Sequence, residues 1–106
     1  MEVSKKDWKL YREKIADWQE AYMERLIHEY VDYLNSDELA SDKFWEMEKR
    51  IKQDRKSPGV CIELEKGEML FDLVRLIREG VITFDDLEPF SDELKEYVIF
   101  LQKRLS

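Results

Sequence analysis

The sequence predicts a small all-α protein, an antiparallel bundle of four main helices plus one extra helical turn. Three observations carry that prediction. Apolar residues recur at three- and four-residue spacing along most of the chain, the period of a helix with one buried face. Only three Gly and two Pro occur in 106 residues, too few for the many turns of a β-rich fold. Ser or Thr followed closely by an acid stands ahead of the periodic runs, the pattern that satisfies free N–H groups at helix starts.

The first helix is expected over about residues 5–34. Ser4 and Asp7 form its capping pair, each side chain answering a backbone N–H of the first turn. Trp8, Tyr11, Ile15, Trp18 and Tyr22 then make one stripe, which continues through Leu26, Tyr30, Tyr33 and Leu34 to a C-cap at Asn35. At about 1.5 Å per residue this helix is a rod of about 45 Å. A compact domain of this length is only about 33 Å across. The helix is therefore expected to overhang its core, with the N-terminal end, carrying Trp8 and Tyr11, as the projecting end.

Ser41 reads as the cap of a second helix, about 42–56, with Phe44, Met47 and Ile51 on one face. It finishes in Lys49, Arg50, Lys52, Arg55 and Lys56, cations placed at the negative end of the helix dipole. Ser57-Pro58-Gly59 is both a break and a favourable start, Ser as cap and Pro at the first helical position. A third helix is read over 58–79, with Val60, Leu64, Gly67, Phe71, Val74 and Ile77 in register and Gly80 as its stop. The alternative reading makes Val60-Cys61-Ile62 extended and starts the helix near Glu65, with Gly67 in its first turn. Thr83-Phe84-Asp85-Asp86 opens a single turn near 84–88, ended by Pro89. Ser91, Asp92 and Glu93 cap the last helix, 92–104, whose apolar face is Leu94, Tyr97, Val98, Leu101 and Leu105. With no repeat, low-complexity tract or linker, residues 1–106 read as one domain.

Composition narrows the function classes. The charged fraction is 41% and the net charge is -7, which disfavours direct binding to nucleic acid or to an anionic membrane surface. One cysteine allows no internal disulfide, and one histidine allows no structural zinc site built from Cys and His. The N-terminal residues lack the apolar stretch of a signal peptide, and no apolar run reaches the ~18 residues of a membrane span. The expectation is a cytoplasmic protein without cofactor.

Individual residues offer little chemistry. His28-Glu29-Tyr30-Val31-Asp32 departs from the zinc-protease pattern where its second His should stand. Glu24, His28 and Asp32 share a face opposite the apolar stripe and read as a solvated surface. Asp85, Asp86, Glu88, Asp92 and Glu93 lack the alternation and the Gly of a calcium loop, and capping accounts for most of them. Cys61, between Val60 and Ile62, reads as a small packed apolar residue. The aromatic stripe remains: Trp and Tyr pack one edge while keeping a polar tip wet, a property that enriches them at interfaces. Trp18 and Tyr22 are assigned to the core, and Trp8 and Tyr11 to a candidate interface. Charge is polarised as well, net +4 over residues 49–56 and net -6 over residues 79–96.

Three stretches carry a resemblance. They are Trp8-Lys9-Leu10-Tyr11-Arg12-Glu13-Lys14 with Trp18-Gln19-Glu20-Ala21-Tyr22-Met23-Glu24-Arg25-Leu26; Lys43-Phe44-Trp45 through Lys56-Ser57-Pro58-Gly59-Val60; and Gly80-Val81-Ile82-Thr83-Phe84-Asp85-Asp86-Leu87 with Phe90-Ser91-Asp92-Glu93-Leu94-Lys95-Glu96. Over nearly the whole chain these resemble a group of short uncharacterised proteins from Firmicutes. The resemblance implies a bacterial cytoplasmic family and brings no established activity and no site residues. Such proteins are often labelled multidrug transporters, a label at odds with a chain in which no segment is apolar enough to cross a bilayer.

The functional expectation is therefore a non-enzymatic module that binds or assembles proteins. Self-association into a homodimer through the first helix is its leading form, anchored by Trp8 and Tyr11. The alternative is an acidic inhibitor or nucleic-acid mimic that fills a basic groove on another protein with Asp85, Asp86 and Glu88. An enzyme using Cys61 or His28 is the third reading.

Overall fold

The computed structural model describes residues 1–105 and is all-helical among them: α1 (Lys5–Leu34), α2 (Ala40–Asp54), α3 (Met69–Arg78) and α4 (Asp92–Leu105), with 3-10 turns at Lys66–Glu68 and Phe84–Leu87. Among these residues no helix is long and apolar enough to cross a membrane.

The core lies at one end of the molecule. It is formed by Tyr11 and Ile15 of α1, Met69, Leu73 and Leu76 of α3, Leu87 and Phe90 of the connection, and Leu94, Val98 and Leu101 of α4. Trp8, Trp18 and Tyr22 are half-buried against it, so the stripe predicted for the N-terminal half of α1 is the stripe that packs. Beyond Tyr22 the helix leaves the core and α2 folds back along it. The molecule is accordingly elongated, 51 × 27 × 22 Å with a radius of gyration of 16.5 Å, against about 13 Å for a compact chain of this size. The overhang is real, but the projecting end is the C-terminal half of α1. The N-terminal end is held down because Asp7 does more than the expected capping.

Ser4 does cap α1, its Oγ accepting from the Asp7 N–H at 3.1 Å. The Asp7 carboxylate, 2% exposed, turns instead to the start of α4. It accepts from the Ser91 N–H at 3.0 Å and from the Ser91 hydroxyl at 2.5 Å, while that hydroxyl oxygen accepts from the Leu94 N–H at 3.2 Å. One short polar relay thus joins the N-termini of two helices 84 residues apart and satisfies free N–H groups at both.

Two boundaries differ from expectation. α2 starts at Ala40 after Leu39, so Ser41 lies inside the first turn rather than capping it, and the helix ends at Asp54. The third helix is α3, Met69–Arg78, not 58–79. Ser57–Val60 is a tight turn in which the Ser57 carbonyl accepts from the Val60 and Cys61 N–H groups, and Cys61–Glu65 runs without regular structure. The stripe drawn through Val60, Leu64 and Gly67 therefore does not exist, and Phe71, placed on it, is exposed. The face that packs is Met69, Leu70, Leu73, Val74 and Leu76. Gly59 explains the break: a Cβ there would collide with the Tyr22 ring and lie 2.7 Å from Val81 Cγ2. The chain can pass under Tyr22 only as glycine, and the sharp turn around it cannot be drawn into a helix.

The downstream elements follow the sequence closely. α3 stops at Gly80, at φ 72°, where the Val81 N–H reaches back to the Leu76 carbonyl at 2.9 Å. Asp86 caps the Phe84–Leu87 turn, accepting from the Thr83 N–H at 2.7 Å. In α4 the buried residues are Leu94, Val98 and Leu101.

Two substitutions test this account by thermal and urea unfolding followed by circular dichroism. Asp7→Ala leaves the Ser91 donors near the core without their partner and is expected to cost roughly 1–3 kcal/mol. Gly59→Ala forces the 57–60 turn away from Tyr22 and is expected to cost roughly 1–3 kcal/mol, as overpacking does. Wild-type midpoints in both variants would show that neither contact holds the fold.

Candidate interaction surface

The arm made by the C-terminal half of α1 and by α2 is built the opposite way to an ordinary helical hairpin. The face of α2 turned toward α1 carries Lys43, Met47, Arg50 and Asp54, the half-covered residues at helical spacing. What meets them are the two tyrosines of α1. The Tyr30 hydroxyl donates to the Asp54 carboxylate. Burial and that hydrogen bond push the Tyr30 phenol up to about 12. The Arg50 guanidinium lies 4.3 Å from the centre of the Tyr33 ring and is held there by Glu46 at 3.2 Å. The Tyr33 hydroxyl donates to the Asp42 carbonyl at 3.4 Å. These contacts suit tyrosine, which offers a ring face to a cation and a hydroxyl to an acceptor.

The arm is also fixed at its root. Gln19 Nε2 donates to the Pro58 carbonyl at 3.0 Å, and Arg25, stacked on Tyr22, donates to the Gly80 carbonyl at 2.5 Å. Its placement therefore follows from the core.

Leu26 and Met47 are covered within the arm, but with polar groups filling much of its inside, most of the large apolar groups face out. α2 has no buried residue. Exposure is 55% for Ile27, 47% for Val31, 45% for Leu34, 66% for Phe44 and 45% for Ile51. Ile27, Val31 and Leu34 share one face of α1 by their four- and three-residue spacing, and Phe44 and Ile51, seven apart, share one face of α2. Helical geometry puts both faces on the same side of the antiparallel pair, and the groove between the helices, about 250 Å³, is lined by Ile27 on one wall and Ile51 on the other. Trp45, edge-on to Phe44 with centroids 5.0 Å apart and 62% exposed, extends the apolar surface around α2. Five large apolar side chains on one side of two adjoining helices make a patch of the kind that marks interaction sites.

The residues singled out from sequence sit elsewhere. Tyr11 is fully buried and Trp8 half-buried on the core, under the Arg12 guanidinium at 5.3 Å. Tyr11 is thus a core residue and not an interface anchor, because the Asp7 relay pulls its end of α1 onto α4. Asp85, Asp86 and Glu88 are exposed, but Asp86 is committed to its cap. Lys95 reaches into the same patch, donating to the Glu88 carbonyl at 3.3 Å and pairing with Asp92 at 3.5 Å. Glu24, His28 and Asp32 are exposed on the outer face of α1, as read from spacing. Cys61 is exposed rather than packed, since the segment holding it is not helical.

The Cys61 thiol lies at a shallow cavity of about 290 Å³ whose lining includes Glu63, Glu65, Glu68, Asp72 and Arg75. Asp72 is 7% exposed. Its Oδ1 is 3.8 Å from Arg75 Nη1, and its Oδ2 has no hydrogen-bond partner. Burial pushes this carboxyl up to about 6, Arg75 opposes the rise, and Glu68 and Glu65 add to it. The buried Tyr11 hydroxyl is likewise unpartnered, and burial with the nearby Asp72 charge pushes its pKa upward. Sequence periodicity, which put the helix face elsewhere, gave no sign of this pair.

Compared with protein-family models, with curated proteins and with solved structures, the chain matches none.

Asp72 has a definite pH consequence. Its folded pKa of about 6 exceeds that of the unfolded chain, about 4 for an ordinary aspartate. The proton it holds stabilises the fold fully below about pH 4, and that contribution is lost as pH rises through about 6. Asp72→Asn is therefore expected to gain roughly 1–3 kcal/mol at pH 7 and little at pH 4. Urea midpoints of the two proteins at both pH values check this; an unchanged or lower midpoint for the variant at pH 7 is the contrary result.

Proposed function

We propose that this protein is a non-enzymatic interaction module that docks a protein partner on the apolar side of its α1–α2 arm. The observation that carries the reading is the inverted arm: Tyr30 and Tyr33 are spent on holding α2, while Ile27, Val31, Leu34, Phe44 and Ile51 are left outside. A chain selected only to fold would gain more by turning those side chains inward. The patch also has the make-up of an interface, an aromatic and aliphatic centre ringed by charge such as Glu48, Lys52 and Arg55. The exposed free thiol of Cys61 suits a reducing compartment, so we place the action of the module in the cytoplasm.

The reading as an acidic mimic has less behind it. A phosphate-like surface needs its carboxylates free and projecting, whereas Asp86 is spent on a cap and Lys95 lies among the rest.

The test uses the tagged full chain and a Phe44→Ser/Ile51→Ser variant as parallel baits in nuclease-treated lysate. Both side chains are largely exposed, so the variant is expected to keep its helical circular dichroism. Partners retained by the wild type at high salt and lost by the variant are the expected result. Partners held equally by both would remove the arm from the binding role.

A further inference from the structure

We propose that the occupant of the arm's apolar side is a second copy of this chain, docked antiparallel about a twofold axis so that two arms close into a four-helix bundle. The inference rests on the docking role argued above and adds the identity and orientation of the partner.

Charge is the first argument. The tip of the arm, residues 29–42, carries Glu29, Asp32, Asp37, Glu38 and Asp42 with no Lys or Arg, a net of -5. The root of α2, residues 49–56, carries five cations against Asp54, a net of +4. All five tip acids are exposed, as are Lys49, Lys52, Arg55 and Lys56 at the root. Two arms laid side by side in parallel would set tip against tip and root against root, repulsive at both ends. Laid antiparallel, they bring the tip turn, with Asp37 and Glu38, against the basic root of α2, where Arg55 lines the groove, and the twofold axis makes the match twice over. A single arm is thus complementary to its own inverted copy, the requirement of a twofold interface.

Shape is the second. Each arm is two antiparallel helices with a furrow between them, and α2 spans 15 residues, about 22 Å, enough for rows of side chains to interleave as in other four-helix bundles. Phe44 near the tip and Ile51 near the root exchange places under the twofold, so each aromatic meets the Ile27–Ile51 end of the opposite groove.

Sedimentation of the full chain from about 1 to 100 µM is expected to show a reversible monomer–dimer equilibrium, with twice the chain mass dominant at the upper end. Phe44→Asp/Ile51→Asp is expected to weaken association at least about 100-fold, leaving a folded monomer. Two charge-reversed proteins test the orientation. Asp37→Lys/Glu38→Lys at the tip and Arg55→Glu/Lys56→Glu at the root are each expected to weaken the dimer about tenfold. The chain carrying all four changes sets new lysines against new glutamates where residues 37 and 38 of one arm meet residues 55 and 56 of the other, and should bind more tightly than either pair of changes alone, which only antiparallel arms allow. A wild type that stays monomeric at the top of the range overturns the second-copy proposal, and the bait experiment then decides separately whether the arm docks another protein. A dimer that survives the Asp pair, or that the four changes together leave no tighter than either pair alone, overturns the arrangement.

Discussion

A helix of 30 residues in a chain of 106 cannot be covered along its whole length by what remains, and the rest of the structure is arranged around that shortage. The core-forming side chains of α3, α4 and their connection suffice for about half of α1. Which half is decided at Asp7. By donating to its carboxylate, Ser91 binds the start of α4 to the start of α1, and the apolar faces between them close over Tyr11 and Ile15. The other half of α1 is covered mainly by α2, and although Leu26 is buried there, the side-chain contacts that hold α2 are made by tyrosine, arginine and aspartate.

The same shortage accounts for the buried polar groups. α3 has ten residues and six of them are buried. Asp72 is among the six because its neighbours Leu73 and Val74 must both face the core. Its carboxylate is tolerated because one oxygen lies near Arg75 and because the group is easily protonated in that position. Tyr11 is kept deep in the core by the relay at Asp7, which leaves its hydroxyl without a partner.

Much of the fold was legible in the sequence. Helix existence, the Ser4 and Ser91 caps, the 84–87 turn and the Gly80 stop all follow from local rules, and local rules were enough because each depends on residues within one turn of the chain. The failures were tertiary. Ser57-Pro58-Gly59 is compatible with a helix start until Tyr22, more than thirty residues away, is laid across Gly59. Asp7 looked like half of a capping box because Ser91 could not be seen beside it. The candidate site was misread for a related reason. Phe44, Met47 and Ile51 formed the apolar stripe a core-facing helix shows, and periodicity cannot tell which side a neighbour will occupy. The tyrosines at 30 and 33 were the one available sign that α1 would present a polar partner face there.

The chain leaves the core near Tyr22 and returns at Pro58 and Gly59, and these points touch: Gln19 bonds the Pro58 carbonyl and Gly59 lies beneath the Tyr22 ring. The 35 or so residues between them are a closed excursion whose ends are pinned together by the body that remains. Its length is therefore a free variable in evolution. Helical turns can be added to or removed from both limbs together, lengthening or shortening the projecting surface, while the hydrophobic core and its polar relay are left as they were. Among descendants of one ancestral sequence, the body should be held constant in size and the excursion should be where the proteins come to differ.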